Sequence, residues 1–156
     1  MPVVATRWAA VTNAVLATLR ADPNLATTTI LDGFPVTNDP LVDAVVVGSS
    51  ADPEDDVAGT VTQEYHDMAL ASSSRMETIT LACEVWAQNG DGDLSAARTR
   101  AFLLLGYMEA ALRANPSQGL TDVLRVEVVD ATVHQAQTEY GAVCSVDVTV
   151  SATSLI

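Results

Sequence analysis

Glu77-Thr78-Ile79-Thr80-Leu81-Ala82-Cys83-Glu84-Val85-Trp86 is the stretch whose reading decides the fold. Ile79, Leu81, Cys83 and Val85 alternate with more polar neighbours, and a period of two with β-branched content marks a strand with one buried face. Asn89-Gly90-Asp91-Gly92-Asp93 follows as a tight turn, because Gly tolerates positive φ and Asx side chains bond their own backbone. Asp93 or Ser95 can then cap a helix from Leu94 to about Ala114. Along it Ala97, Ala101, Leu104, Leu105, Met108, Ala111 and Leu112 recur at helical spacing, so one stripe can lie on the strand's apolar face. Asn115-Pro116 ends the helix, since proline removes a donor and clashes with the preceding turn.

On the N-terminal side, Trp8, Val11, Val15, Leu16 and Leu19 share one face of a helix over Thr6 to Ala21, which Asp22-Pro23 stops. Thr28 to Asp32 reads as a short strand, and Leu41 to Val47 as a stronger one. Ser49 to Gly59 carries Asp52, Glu54, Asp55 and Asp56 around Pro53. Carboxylates this close repel one another and prefer water, so a mobile acidic loop is expected there. Val61 to Leu70 is a weaker strand, and Ser72 to Ser74 a break. On the C-terminal side, Val123 to His134 is a Val-rich strand, with His134 at its end. Gln135 to Gly141 connects it as a hairpin to Ala142 to Val150, where Cys144, Val146, Val148 and Val150 face one way and Ser145, Asp147 and Thr149 the other. That alternation argues an antiparallel sheet with one wet face. The expected fold is α+β: an antiparallel β-sheet of four to six strands with two helices packed on one face, in a single domain over residues 1–156.

Length and composition agree with one domain. The chain has 156 residues, 49% apolar but only 4% aromatic, so its core is built from Ala, Val and Leu. No apolar run reaches the roughly eighteen residues that a membrane helix needs. Met1 to Arg7 lacks the basic-then-apolar pattern of a secretory signal. Cys83 and Cys144 sit on apolar strand faces and read as buried small hydrophobes rather than as a disulfide or metal pair. The charge is lopsided: 20 acidic residues face 7 basic ones, all Arg, for a net charge of -13. Such a surface repels phosphate and disfavours sequence-specific nucleic-acid binding, although DNA could slide past it without sticking.

The chemistry-bearing residues do not assemble into a familiar site. Setting Asn89, Asp91 and Asp93 on the first ligand positions of a calcium loop puts Leu94 where Gly is needed and Arg100 where a bidentate Glu belongs. His66 and Asp67, as strand neighbours, point to opposite faces and make no dyad. Ser72 to Ser74 lacks a nucleophile-elbow context, Cys83 is too apolar in its surroundings for an activated thiolate, and Val47-Gly48-Ser49-Ser50 lacks the remaining parts of a phosphate loop. The reading is therefore non-enzymatic, with no catalytic, cofactor-binding or metal-binding residue assigned. A polar sheet face, exposed edge strands and acidic loops suit assembly with copies or partners.

The strand Thr78 to Trp86, the Asn89 to Asp93 turn, Ala97-Arg98 opening a long helix, and Asn115-Pro116 closing it resemble small neck and tail-end proteins of long-tailed bacteriophages. The later strand near Val128, Gln137, and Glu139-Tyr140-Gly141 before a closing alternating strand fit the same pattern, so the resemblance spans roughly Thr6 to Ala152. It is strongest to the tail terminator (minor tail protein U-like) family. The resemblance implies a virion protein forming a ring, usually hexameric, that caps the tail tube, stops its polymerisation and offers the head-joining surface. Its partners would be copies of itself, the tail tube protein and a head-tail connector or other neck protein, with DNA passing through the lumen without specific binding. Asp52, Glu54, Asp55 and Asp56 would face the lumen or the tube. Arg98 and Arg100 lie where a helix dipole prefers anions, so they are candidates for pairing with an acidic neighbour in the same or an adjacent subunit. Another neck protein is the nearest alternative. A small ligand-binding or catalytic domain using Glu64, His66 and the Asp52 to Asp56 segment is the alternative of a different class.

Overall fold

A computed structural model describes residues 5–35, 41–49, 57–65 and 75–156, the side chain of Tyr65 excepted. Helix α1 (Trp8–Ala21) leads through a 3-10 turn (Pro23–Leu25) to strands β1 (Thr29–Asp32), β2 (Asp43–Val47), β3 (Gly59–Tyr65) and β4 (Arg75–Asn89). Helix α2 (Leu94–Ala114) and strands β5 (Val123–Thr138) and β6 (Gly141–Leu155) complete the order. The sheet runs β1-β2-β4-β6-β5, with β3 also on β4. The architecture is the expected α+β one: two helices against a six-stranded, mostly antiparallel sheet.

β4 is the spine of this sheet because it is long enough to serve two partners on one edge. Its first half pairs with β3 and its second half with β2, while β6 runs along the whole of the other edge from Met76↔Leu155 to Asn89↔Ala142. The alternation read from Ile79 to Val85 holds: Ile79, Leu81, Cys83, Val85 and Ala87 enter one core with Val146, Val148 and Val150 of β6. The α2 stripe fills it with all seven residues of the predicted face. Burying side chains such as Leu104, Met108 and Leu112 stabilises the fold by about 1.5–3 kcal/mol each. From α1, Val11, Val15, Leu16 and Leu19 join the same cluster.

Several boundaries and one pairing differ from expectation. β1 and β2 pair in parallel, so the sheet is mixed at that edge. β5 continues through Thr138, which shortens the expected Gln135 to Gly141 connection to a turn at Glu139-Tyr140 and puts His134 inside the strand rather than at its end. Gly141 makes the tight turn possible: its φ is 118°, and a Cβ there would collide with the carbonyl of Asn89. The sheet face away from the helices is not uniformly wet, since Ala44, Val46, Glu84, Val143 and Ser145 are buried on it. Of the weaker strand expected at Val61 to Leu70, β3 covers the start. The rest, with Ser72 to Ser74 and the segment holding Asp52, Glu54, Asp55 and Asp56, lies outside the described residues.

Candidate functional site: buried carboxylates and an open strand edge

Arg7, at the N-cap of α1, makes no side-chain cap bond, and the Trp8 N–H donates to Thr6 Oγ1 at 3.1 Å. The Arg7 N–H is left for Glu77 of β4. The Arg7 backbone N–H donates to its Oε2 at 2.8 Å, Ser154 Oγ donates to the same oxygen at 3.1 Å, and Gln63 Nε2 donates to Oε1 at 3.0 Å. Burial alone would raise the Glu77 carboxyl; these donors and Thr6 outweigh it and hold the group below its ordinary value. Arg7 pairs with Asp122, and Arg75 Nη1 donates to Gln63 Oε1 at 3.0 Å. The cluster ties α1, β3, β4 and β6 together at one end of the sheet. A carboxylate this fully engaged is a structural anchor, and the sequence reading assigned Glu77 no role.

Glu84 is the opposite case. It lies on the face away from the helices, fully buried between Val46 of β2 and Asp147 of β6, and neither carboxylate oxygen has a hydrogen-bond partner among the described residues. Burial first, and then the charge of Asp147, pushes its pKa up to about 7. Asp147 uses one oxygen to bind His134 Nε2 at 2.9 Å, and its other oxygen is buried without a partner. Three titratable groups thus share one patch of sheet. Among the described residues no group of three or more His, Cys, Asp or Glu side chains is placed to hold a metal. The two cysteines are buried free thiols, and burial pushes Cys83 to about 12, far from a thiolate nucleophile.

The turn before α2 is occupied by its own backbone. Asn89 Oδ1 accepts from the N–H groups of Asp91 at 3.0 Å and Asp93 at 3.3 Å, and Asp93 Oδ1 caps the helix through Ala96 N–H at 3.1 Å. Two of the three oxygen sets that a calcium loop would borrow are therefore committed. At the other end of α2, buried Gln118 does work that its sequence position did not announce. Its amide donates to the carbonyls of Leu112 and Asn115, satisfying orphan acceptors, while its Oε1 accepts from Thr18 of α1 at 2.5 Å.

Arg98 and Arg100 diverge in role. Arg100 Nε bonds Asp43 Oδ2 at 2.9 Å, an ion pair within the chain that joins α2 to β2. Arg98 is exposed and bonds an amide, not an acid: Nε donates to Gln135 Oε1 of β5 at 3.0 Å. Past Gln135 stretches the most open surface among the described strands. Every residue from Val129 to Thr138 is exposed, although β5 is fully paired to β6 on its inner side. Phe102, one turn beyond Arg98 on α2, is also exposed, and a small groove of about 110 Å³ lies between Leu112, Pro116, Val126 and Val128.

These features define a class of molecule before any likeness is considered: an acidic α+β domain with, among the described residues, a closed core, a carboxylate anchor at Glu77, a buried carboxylate without a hydrogen bond at Glu84, and a long exposed strand edge. No protein family and no curated protein matches the sequence. Among solved structures, the chain is similar to one in the virion of a native gene transfer agent particle. The TM-score is 0.61 at 17% identity, over 93% of this chain and 94% of that one. At that identity the likeness is one of fold.

Proposed function

We propose that the chain is a structural subunit of a tailed, phage-like virion, and that it acts as the ring-forming tail terminator at the head-proximal end of the tail. The observation that carries this reading is the near end-to-end correspondence of its fold with a chain from a gene transfer agent virion. The bare edge of β5 supports an assembling role, because natural sheets seldom leave such an edge uncovered. In this reading the chain binds copies of itself in a ring, the tail tube protein on one side and a neck protein on the other. Asp52, Glu54, Asp55 and Asp56 present carboxylates to the lumen or the tube, where their charge would keep DNA moving.

Deleting the gene in its producing host tests the role directly by electron microscopy of the particles. A terminator predicts tails of uncontrolled length and heads without tails. Tails of normal length left unjoined to heads would identify a connector or completion factor instead. Normal particles lacking the protein would remove the virion reading altogether.

A further inference from the structure

The two helices differ in charge from the rest of the chain. α1 and α2 carry four of the seven arginines but, of the 20 carboxylates, only Glu109. The side of α2 turned away from the core presents Ser95, Thr99, Phe102, Leu103, Gly106 and Ala110, all exposed and none charged. Phe102 and Leu103 stand at the middle of this stripe, 45% and 42% open to solvent. Large apolar side chains on an uncharged helix face are what a helix–helix contact buries. On α1 the exposed Ala9, Asn13 and Ala17 set no carboxylate against an approaching neighbour.

Charges bracket the α2 stripe in a definite order: Asp93, Arg98, then Glu109 and Arg113 beyond the apolar middle. None of the four has an ion pair among the described residues. Arg98 reaches only the Gln135 amide, and Asp93 gives one oxygen to the Ala96 N–H and keeps the other open. About Leu103 this order is self-complementary. Asp93 and Arg113 lie equally far to either side of it, and Arg98 and Glu109 do so to within one residue.

We infer that α2 packs against α2 of a second copy of this chain, antiparallel about a two-fold axis at Leu103, so that the free chain forms a dimer. Such an axis brings like flanks of the two helices together. Arg98 of one copy then lies beside the second copy's Glu109, Arg113 reaches the open oxygen of the second copy's Asp93, and each pair forms twice. Leu103 meets Leu103 across the axis with Phe102 next to it, and Gly106, having no side chain, lets the helices approach. A parallel pair fails on the same charges, because it sets Arg98 against Arg98 and Arg113 against Arg113. Arg100 stays out of the contact, held by Asp43 of its own chain. The dimer goes beyond the virion reading and does not rest on it; in the free chain it occupies Arg98, the candidate ring contact.

One helix face buries less than the roughly 800 Å² per partner of a standard interface, so half-dissociation is expected at roughly 10–100 μM. Sedimentation equilibrium of the full chain across that range should show monomer and dimer. Leu103→Cys, next to the axis, should give a covalent dimer on mild oxidation, whereas Ser95→Cys, exposed on the same stripe but far from the axis, should not; native Cys83 and Cys144 are buried. Arg98→Glu and Glu109→Arg should each weaken the dimer roughly tenfold, since each reversal counts twice, and the double exchange should restore it to within about threefold. A chain monomeric throughout, self-association that Leu103→Cys does not lock, or a double exchange no tighter than the single ones would each overturn the proposal. Particle assembly in the deletion host is a separate readout, so the virion reading and the dimer can fail independently.

Discussion

Glu84→Gln removes a carboxylate that the fold buries with no hydrogen-bond partner among the described residues, and its effect should depend on pH in a defined direction. In the folded chain the Glu84 carboxyl holds its proton up to about pH 7, whereas its ordinary value is 4.5. The folded state therefore binds more protons than the unfolded state between those values. Glu84 costs nothing at or below about pH 4.5, costs progressively more stability as pH rises through the window, and exacts its full penalty above about pH 7. A shift of that size corresponds to at most about 3 kcal/mol. The isosteric amide cannot ionise, and it can offer a donor towards the unpartnered oxygen of Asp147. Urea denaturation at fixed protein concentration, followed by the fluorescence of Trp8 and Trp86, should show the variant gaining on the wild type by about 2–3 kcal/mol between pH 5 and pH 8. The difference cancels the general repulsion of an acidic chain. A gap that stays constant from pH 5 to pH 8 would refute the buried, unsupported carboxylate as its cause.

Glu77→Ala should have the contrary signature, destabilising by about 2–4 kcal/mol because it strands the donors of Arg7, Gln63 and Ser154. The Glu77 contribution is present above pH 4.5 and disappears as pH falls through its lowered value, so the wild-type and variant curves should converge in acid. Gly141→Ala should cost more than about 2 kcal/mol in thermal or urea unfolding, through strain at φ 118° and collision with Asn89. Arg100→Ala breaks a half-exposed pair with Asp43 and should cost under about 1 kcal/mol, with oligomer size in light scattering unchanged. Arg98→Ala should leave monomer stability within about 0.5 kcal/mol but weaken rings; rings of wild-type size and stability would take Arg98 out of the interface.

The parts that neighbours along the chain dictate were legible without coordinates. Period-two patterning from Ile79 to Val85 and from Cys144 to Val150, the Asn89–Asp93 turn and the α2 stripe are local signals, and each survives into the structure with its residues intact. What depends on residues far apart was not. Glu77 and Glu84 are both acidic positions of one strand, seven residues apart, and nothing local separates an anchor from an unsatisfied carboxylate. Their difference comes from Arg7 arriving 70 positions away, and from Asp147 being placed alongside by the β4–β6 register. The division of the β4 edge between β2 and β3, the parallel β1–β2 pair and the bare edge at Ala131 to Thr138 are likewise decided by which strands come to lie side by side. Alternation specifies the face a side chain takes, because the pleat has a period of two; it carries no information about which neighbour, if any, fills the hydrogen-bonding edge.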